Sequence, residues 1–146
     1  MLRFAVIGLG TFGFYVATAL AEKGCEVTAI DIDEEKVRRV KDQVAKAVAC
    51  DASDKANLAP LIENKIDVAI VSLGEEIKDA VLVIFYLKKM NISRIIVEAI
   101  KEEHGKVLNL LGATDIIYSQ KSQAEQLVWK LISGEISGTV KILEKE

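Results

Sequence analysis

Gly8, Gly10 and Gly13 form a G-x-G-x-x-G pattern between an apolar run, LRFAVIG, and a segment of helical period, TFGFYVATALAEKG. At a strand-to-helix turn this spacing suits a phosphate. The first glycine makes the tight turn, the second lets a phosphate approach backbone N–H groups, and the third brings helix and strand close together. Thr11 and Phe12 fall inside the turn. Alone the pattern is weak, and it gains force from Asp31. That residue ends the next apolar run, CEVTAID. It lies about 20 residues further on, where a carboxylate can accept both hydroxyls of a ribose. A carboxylate there also repels a 2′-phosphate, which disfavours NADP. The competing reading, glycines for packing and Asp31 as a strand-end turn residue, needs no ligand.

Ligands of open parallel sheets bind beyond the carboxyl ends of the strands, where strand order reverses. Two more strand ends should therefore close the site. Cys50-Asp51-Ala52-Ser53-Asp54 offers short polar side chains to an adenine, and Ile32 stands beside Asp31. Ser72-Leu73-Gly74 offers backbone that a nucleotide can approach. Helix capping explains these residues equally well, Ser53, Asp54 and Ser72 being good N-cap types.

Groups able to react a bound nucleotide are not visible. A dehydrogenase usually needs a general acid or base near the nicotinamide. The sole histidine, His104, follows two glutamates in a helical segment and reads as solvated. No Cys/His cluster has metal spacing and no G-x-S-x-G occurs. We expect no catalytic residue and no metal site. Cys25 and Cys50 are not spaced as a redox or metal pair, fit a reducing compartment, and read as small buried residues.

The elements that must hold these residues follow from the rhythm of the chain. Apolar runs of strand length alternate with segments of helical period, from LRFAVIG through IDVAIVSLG and SRIIVEAI to TDIIYSQ. Such alternation gives a parallel sheet covered by helices on both faces. We expect an α/β, Rossmann-like, doubly wound six-stranded sheet of order 3-2-1-4-5-6. Ala80 to Leu87 is apolar for more than two helical turns. Either its outer side meets a second copy of the chain, or it is a central helix between two neighbours. Residues 1–133 read as one domain and 134–146 as a linker or the start of a second domain.

At 146 residues the chain suits one core without disulfides or metal. With 51% hydrophobic residues and a single proline, disorder is not expected. The 19 basic and 22 acidic residues leave a net charge of −3, spread too evenly for a nucleic-acid surface. The longest apolar run, AVLVIF with Tyr86 and Leu87 behind it, is far short of the roughly 20 residues that cross a bilayer. No cleavable leader opens the chain, and we expect a soluble, cytoplasmic protein.

The combination GLGTFG, AIDIDEEKV, ACDASD, VSLGE and LLGATDIIYSQ, in that order and spacing, resembles the N-terminal nucleotide-binding domain of the regulators of potassium conductance, the RCK or TrkA-N domain of Trk/Ktr regulatory subunits. The resemblance covers nearly the whole chain. It implies a cytoplasmic subunit, peripheral at the inner face of the cell membrane, that assembles through homodimers into a ring, up to an octamer. Its partner would be a membrane potassium channel or transporter, gated when nucleotide exchange changes the angle between paired domains. It also implies that the last helix, around Ala124 to Ile132, is a crossover helix packing on the partner subunit. Trp129 would then be an intersubunit anchor, an ordinary core tryptophan being the alternative.

Three departures from that family bear on the ligand. Members that sense ATP commonly carry arginine inside the glycine turn, where this chain has Thr11. They carry lysine or arginine after the fifth strand, where this chain has Glu98, and often Pro-Glu after the sixth, where it has Ser119 and Gln120. At about 6 Å and an effective dielectric near 20, Glu98 would repel a phosphate charge by roughly 3 kcal/mol. That is about a hundredfold in affinity before screening. AMP, ADP or NAD(H) therefore rank above ATP as the adenine nucleotide. Glu98 pointing to solvent, or pairing with Lys101, would void this argument.

Two functions of different class remain. The first is a non-catalytic, nucleotide-binding regulatory subunit that gates potassium flux. The second is a small NAD-dependent oxidoreductase, or its cofactor-binding half, resting only on the glycine turn and Asp31.

Overall fold

A computed structural model describes residues 1–74 and 77–134. Each expected run becomes its expected element, in strict alternation: β1 (Arg3–Ile7), α1 (Thr11–Glu22), β2 (Glu26–Asp31), α2 (Glu34–Val40), β3 (Lys46–Ala49), α3 (Lys55–Ile62), β4 (Val68–Val71), α4 (Ile77–Lys89), β5 (Arg94–Glu98), α5 (Glu102–Leu111), β6 (Asp115–Ile117) and α6 (Ser119–Ser133). The strands form one all-parallel sheet of order β3-β2-β1-β4-β5-β6. This is the doubly wound Rossmann arrangement expected from the alternation.

The central strands are apolar throughout because both faces are covered. On β1, Ala5 and Ile7 enter a core shared with Leu58, Ile62, Val83, Ile84 and Leu87, while Val6 points the other way into a core with Ala17, Val37 and Val40. Side chains alternate across a strand, so one short run feeds both layers. Ile7 stands in register with Ile30 on β2 and Val71 on β4. Strand order therefore reverses between β1 and β4, and their carboxyl ends open the crevice.

At the opposite, amino end, arginine–aspartate pairs fasten neighbouring strands. Arg3 and Asp67 meet at 3.1 Å across β1 and β4, and Arg94 and Asp115 at 3.2 Å across β5 and β6. The Arg3 guanidinium, chiefly by hydrogen bonding, holds the Asp67 carboxyl below the usual carboxylate range.

Several readings are settled or corrected. Helix α4 buries Ala80, Val83, Ile84 and Leu87, and its other apolar residues Val81 and Tyr86 lean on the same core. It packs between α3 and α5, so most of its second side is covered from within the chain. Phe85 is left most exposed, at 49%, and Leu82 is half-buried outside that core. By contrast α6 buries no residue, and Trp129, 65% exposed, is not a core tryptophan. His104 is half-buried rather than fully solvated. Cys25 and Cys50 are likewise half-buried, because each sits at a strand boundary and not on a strand's inner face. The last strand is shorter than TDIIYSQ, since α6 already begins at Ser119. Glu75, at the end of the VSLGE motif, and the expected linker from residue 135 onward lie outside the described residues.

Candidate functional site

The three motif glycines have different reasons to be glycine. Gly8 has φ +99°, a left-handed conformation, and a Cβ there would collide with the Ser72 carbonyl oxygen. A Cβ on Gly13 would strike the Gly8 carbonyl oxygen, so Gly13 sets the approach of α1 to β1. Gly10 is the exception. Its backbone, φ −67° and ψ −164°, is open to any residue, and a Cβ there would meet no protein atom within 4 Å. Nothing in the protein itself asks for glycine at this position.

Gly10 is also the N-cap of α1, and no side chain caps that end. The first N–H groups of a helix have no partner within the helix, and together with the helix dipole they favour an anion. Beside them, the Asp31 carboxylate accepts the Leu9 N–H at 2.7 Å and the Asp33 N–H at 2.8 Å, one on each oxygen. An ionised carboxylate has about four acceptor sites, so about two remain. Those suffice for a ribose diol.

Gly8, Gly10, Thr11, Phe12, Asp31, Ile32, Ser72, Leu73, Gly74 and Glu98 line one cleft of about 430 Å³. A recess of about 100 Å³ continues from Asp31 and Ile32 to Asp51 and Ala52. Two expected residues do not reach either space. Gly13 lies behind the turn, packed on Gly8, and Ser53 turns back to donate through its hydroxyl to Asp51 at 2.6 Å. That bond, with the Ser53 N–H, lowers the Asp51 pKa. Burial, and then the charge of Asp51, raises the Cys50 thiol pKa.

The capping alternative holds for one of its three candidates. Asp54 caps α3, accepting from the Ala56 N–H at 3.0 Å. Ser72 does something else: its buried hydroxyl donates to Glu98 Oε1 at 2.6 Å, while the Ser119 hydroxyl donates to Glu98 Oε2. Glu98 is therefore turned into the cleft, its hydrogen bonds made to Ser72 and Ser119 and not to Lys101.

Sequence reasoning passed over Lys36, which lines the cleft and, with Arg39, a groove outside the glycine turn. The signal was present in AIDIDEEKV. Lys36 is the third residue of α2, and helical side chains lean toward the N-terminus, which carries this one back over the cleft. Beyond Glu98 the cleft adjoins a further cavity of about 480 Å³ between α1 and α6. No helix of the described residues is long and apolar enough to cross a membrane, and no cluster of metal-ligating side chains occurs among them.

Comparison with known proteins agrees with this fold. The chain is 35% identical over 143 residues to the Ktr system potassium uptake protein C of Bacillus subtilis, covering 98% of this chain and 65% of the relative. It is 36% identical over 129 residues to the Ktr system potassium uptake protein A of the same organism, covering 88% and 58%. The chain thus spans less than two thirds of the length of these curated relatives. Among solved structures, the NAD(P)-binding domain of an exopolyphosphatase-related protein from Archaeoglobus fulgidus superposes with a TM-score of 0.77 at 18% identity, covering 91% of this chain and 99% of that one. The Kef CTD of Shewanella denitrificans in AMP-bound form gives 0.76 at 17% identity, covering 98% and 87%. The GsuK channel bound to NAD gives 0.69 at 17% identity, covering 80% and 21%. At such identities these three speak to the fold alone. A profile for the TrkA-N domain matches residues 4–119, which is most of the sequence. The chain belongs to the TrkA-N domain family.

Proposed function

We propose that this chain is the nucleotide-sensing module of a potassium-transport regulator, binding an adenine nucleotide in the cleft and passing the bound state to a membrane potassium channel or transporter. Gly10 carries the reading. It is a glycine with an ordinary backbone and open space at its Cβ, set at an uncapped helix end, and a phosphate resting on the backbone explains it. Asp31, with acceptor sites to spare, supplies the ribose contact, and the recess at Asp51 and Ala52 takes the adenine. The turn without arginine and the carboxylate of Glu98 favour AMP, ADP or NAD(H) over ATP.

Regulation in place of catalysis is supported by the potassium uptake proteins to which the chain is similar. Assembly is supported by α6, which carries Leu127, Val128, Trp129 and Ile132 exposed along a helix that buries nothing in its own chain. A second copy covering that face, as in a dimer or larger ring at the cytoplasmic side of the membrane, would remove this apolar surface from water.

The test is calorimetric titration of nucleotide-stripped protein with AMP, ADP, ATP, NAD, NADH and NADP, with and without magnesium. Binding of AMP, ADP or NAD(H) without turnover, and NADP at least about tenfold weaker, is the expected result. Absence of binding by every adenine nucleotide would overturn the proposal. Sedimentation of the same samples checks assembly, for which a nucleotide-bound monomer at high concentration would be the contrary finding.

A further inference from the structure

We infer that the cavity at the amino ends of β1, β2 and β3 is a binding site for a phosphoryl anion, with the Thr28 hydroxyl on its floor and the ammonium groups of Lys46 and Lys65 on its walls. It lies at the end of the sheet opposite the nucleotide cleft and does not depend on the reading of that cleft.

Among the described residues three hydroxyl side chains are buried, those of Thr18, Thr28 and Ser72. Two have partners inside the protein. Thr18 donates to the Phe14 carbonyl at 3.0 Å and Ser72 donates to Glu98. Thr28, only 9% exposed, makes no such bond, yet no side-chain polar atom cut off from solvent among the described residues lacks a partner. Its hydroxyl is therefore reached from outside, and the space it reaches is a cavity of about 320 Å³.

Strand register places the walls. Thr28 pairs with Ala5 on β1 and with Lys46 on β3, and residues paired across parallel strands point to one face. Toward the carboxyl end that face carries Ile7 and Ile30 and enters the core. Toward the amino end it carries Arg3, Glu26, Thr28 and Lys46, which line the cavity together with Leu61 of α3 and Lys65 just beyond it.

The charges favour an anion. Arg3 is taken up by Asp67, whereas Lys46 and Lys65 have no ion-pair partner among the described residues, and the one carboxylate beside them in the cavity is Glu26. The cavity is thus positive in a chain of net charge −3. Carbonyls at the carboxyl end of α3 do not compete for these lysines fully: Lys65 Nζ covers the Pro60 carbonyl at 2.8 Å and Arg3 covers that of Asn64 at 3.2 Å. Thr28, Lys46 and Lys65 together still bring about six donors, more than the about four acceptor sites of a carboxylate. The three oxygens of a phosphoryl group can take them.

The experiment follows backbone amides by NMR while inorganic phosphate replaces chloride at fixed ionic strength, on the protein and on Thr28→Val and Lys46→Ala. The amides of Thr28, Lys46 and Lys65 should shift together and saturate with one Kd, and each variant should weaken that Kd at least about tenfold. Valine keeps the shape of threonine on the strand, and unshifted amides elsewhere report that the variants fold. Shifts that do not saturate, or that survive unchanged in both variants, would overturn the inference and leave Lys46 as a charge guarding the β3 edge. Acetate under the same conditions should bind several-fold more weakly, and equal or tighter acetate binding would overturn the phosphoryl assignment. Saturating shifts confined to Leu9, Gly10 and Thr11 would put phosphate at the glycine turn alone, defeating this inference while the nucleotide reading stands.

Discussion

At the end of β1 the protein offers a ligand backbone N–H groups, and at the end of β5 it offers a carboxylate suspended between two serine hydroxyls. The first arrangement is made by main chain. Gly8 is left-handed, Gly13 admits no Cβ, and the Leu9 N–H is tied to Asp31 at 2.7 Å. The second is made by side chains from three strand ends, Ser72, Glu98 and Ser119. A main-chain cradle suits the group that every nucleotide shares, its phosphate. Side chains can be exchanged without altering the sheet, so the second half is where one nucleotide is told from another. In this chain that half holds the Glu98 carboxylate, and on the function proposed above it would select by what it repels as much as by what it accepts.

The largest expected effect breaks the first half. Asp31→Ala removes both acceptors from the ribose diol and leaves the Leu9 N–H without its partner. At about 1.5 kcal/mol for each hydrogen bond to a charged group, the loss is about 3 kcal/mol, or roughly a hundredfold. AMP, ADP and NAD should weaken together, measured by titration. If NAD alone weakened, the assignment of the two halves would have to be exchanged.

A smaller effect separates glycines that the sequence makes look alike. Gly13→Ala forces a methyl against the Gly8 carbonyl oxygen, an overpacking that costs about 1–3 kcal/mol of stability. Gly10→Ala meets no protein atom within 4 Å, so its thermal unfolding should shift little. Its nucleotide affinity should instead fall about tenfold or more, since the methyl occupies the phosphate's approach. A Gly10→Ala protein that binds normally would remove the main support for a phosphate at this turn.

How much of this was legible in the sequence follows the same division. The sheet order could be read because both-face burial makes every central strand a plain apolar run, and βα alternation then leaves few topologies. Asp31 and the glycine turn could be read because backbone geometry prescribes their spacing. The partners of Glu98 could not. Ser72 lies 26 residues before it and Ser119 lies 21 after it, and only the register of β4, β5 and β6 brings the three together. Lys36 stands within AIDIDEEKV, but its reach depends on the direction a helical side chain leans. The apolar run of α4 pointed outward to a second copy, whereas α3 and α5 cover most of it. The exposed apolar face belongs to α6, the helix that the family resemblance, and not the mixed composition of SQKSQAEQLVWKLIS, marked for a partner.

The smallest expected effect lies at the other end of the strands, where one arginine–aspartate pair joins the two halves and a second lies within the β4-β5-β6 half. Asp67 accepts from the Arg3 side chain and from the Arg3 N–H at 2.9 Å, and its carboxyl is held below the usual range by those bonds. Asp115 is lowered too, first by the Thr114 hydroxyl and then by Arg94. A carboxyl whose folded pKa is depressed contributes stability that is present above its unfolded pKa, about 4, and is lost as pH falls through the folded value. Asp67→Asn and Asp115→Asn should each flatten the acid limb of a plot of Tm against pH. Arg3 and Asp67 are only part-buried and Arg94 is exposed, so the losses should be modest and should shrink with added salt, more so for Asp115→Asn. Neither variant should change nucleotide affinity at neutral pH, because both carboxylates stand at the amino ends of the strands, away from the cleft. A drop in affinity with either would mean that strand register, and not local contact alone, holds Asp31 and Glu98 in place.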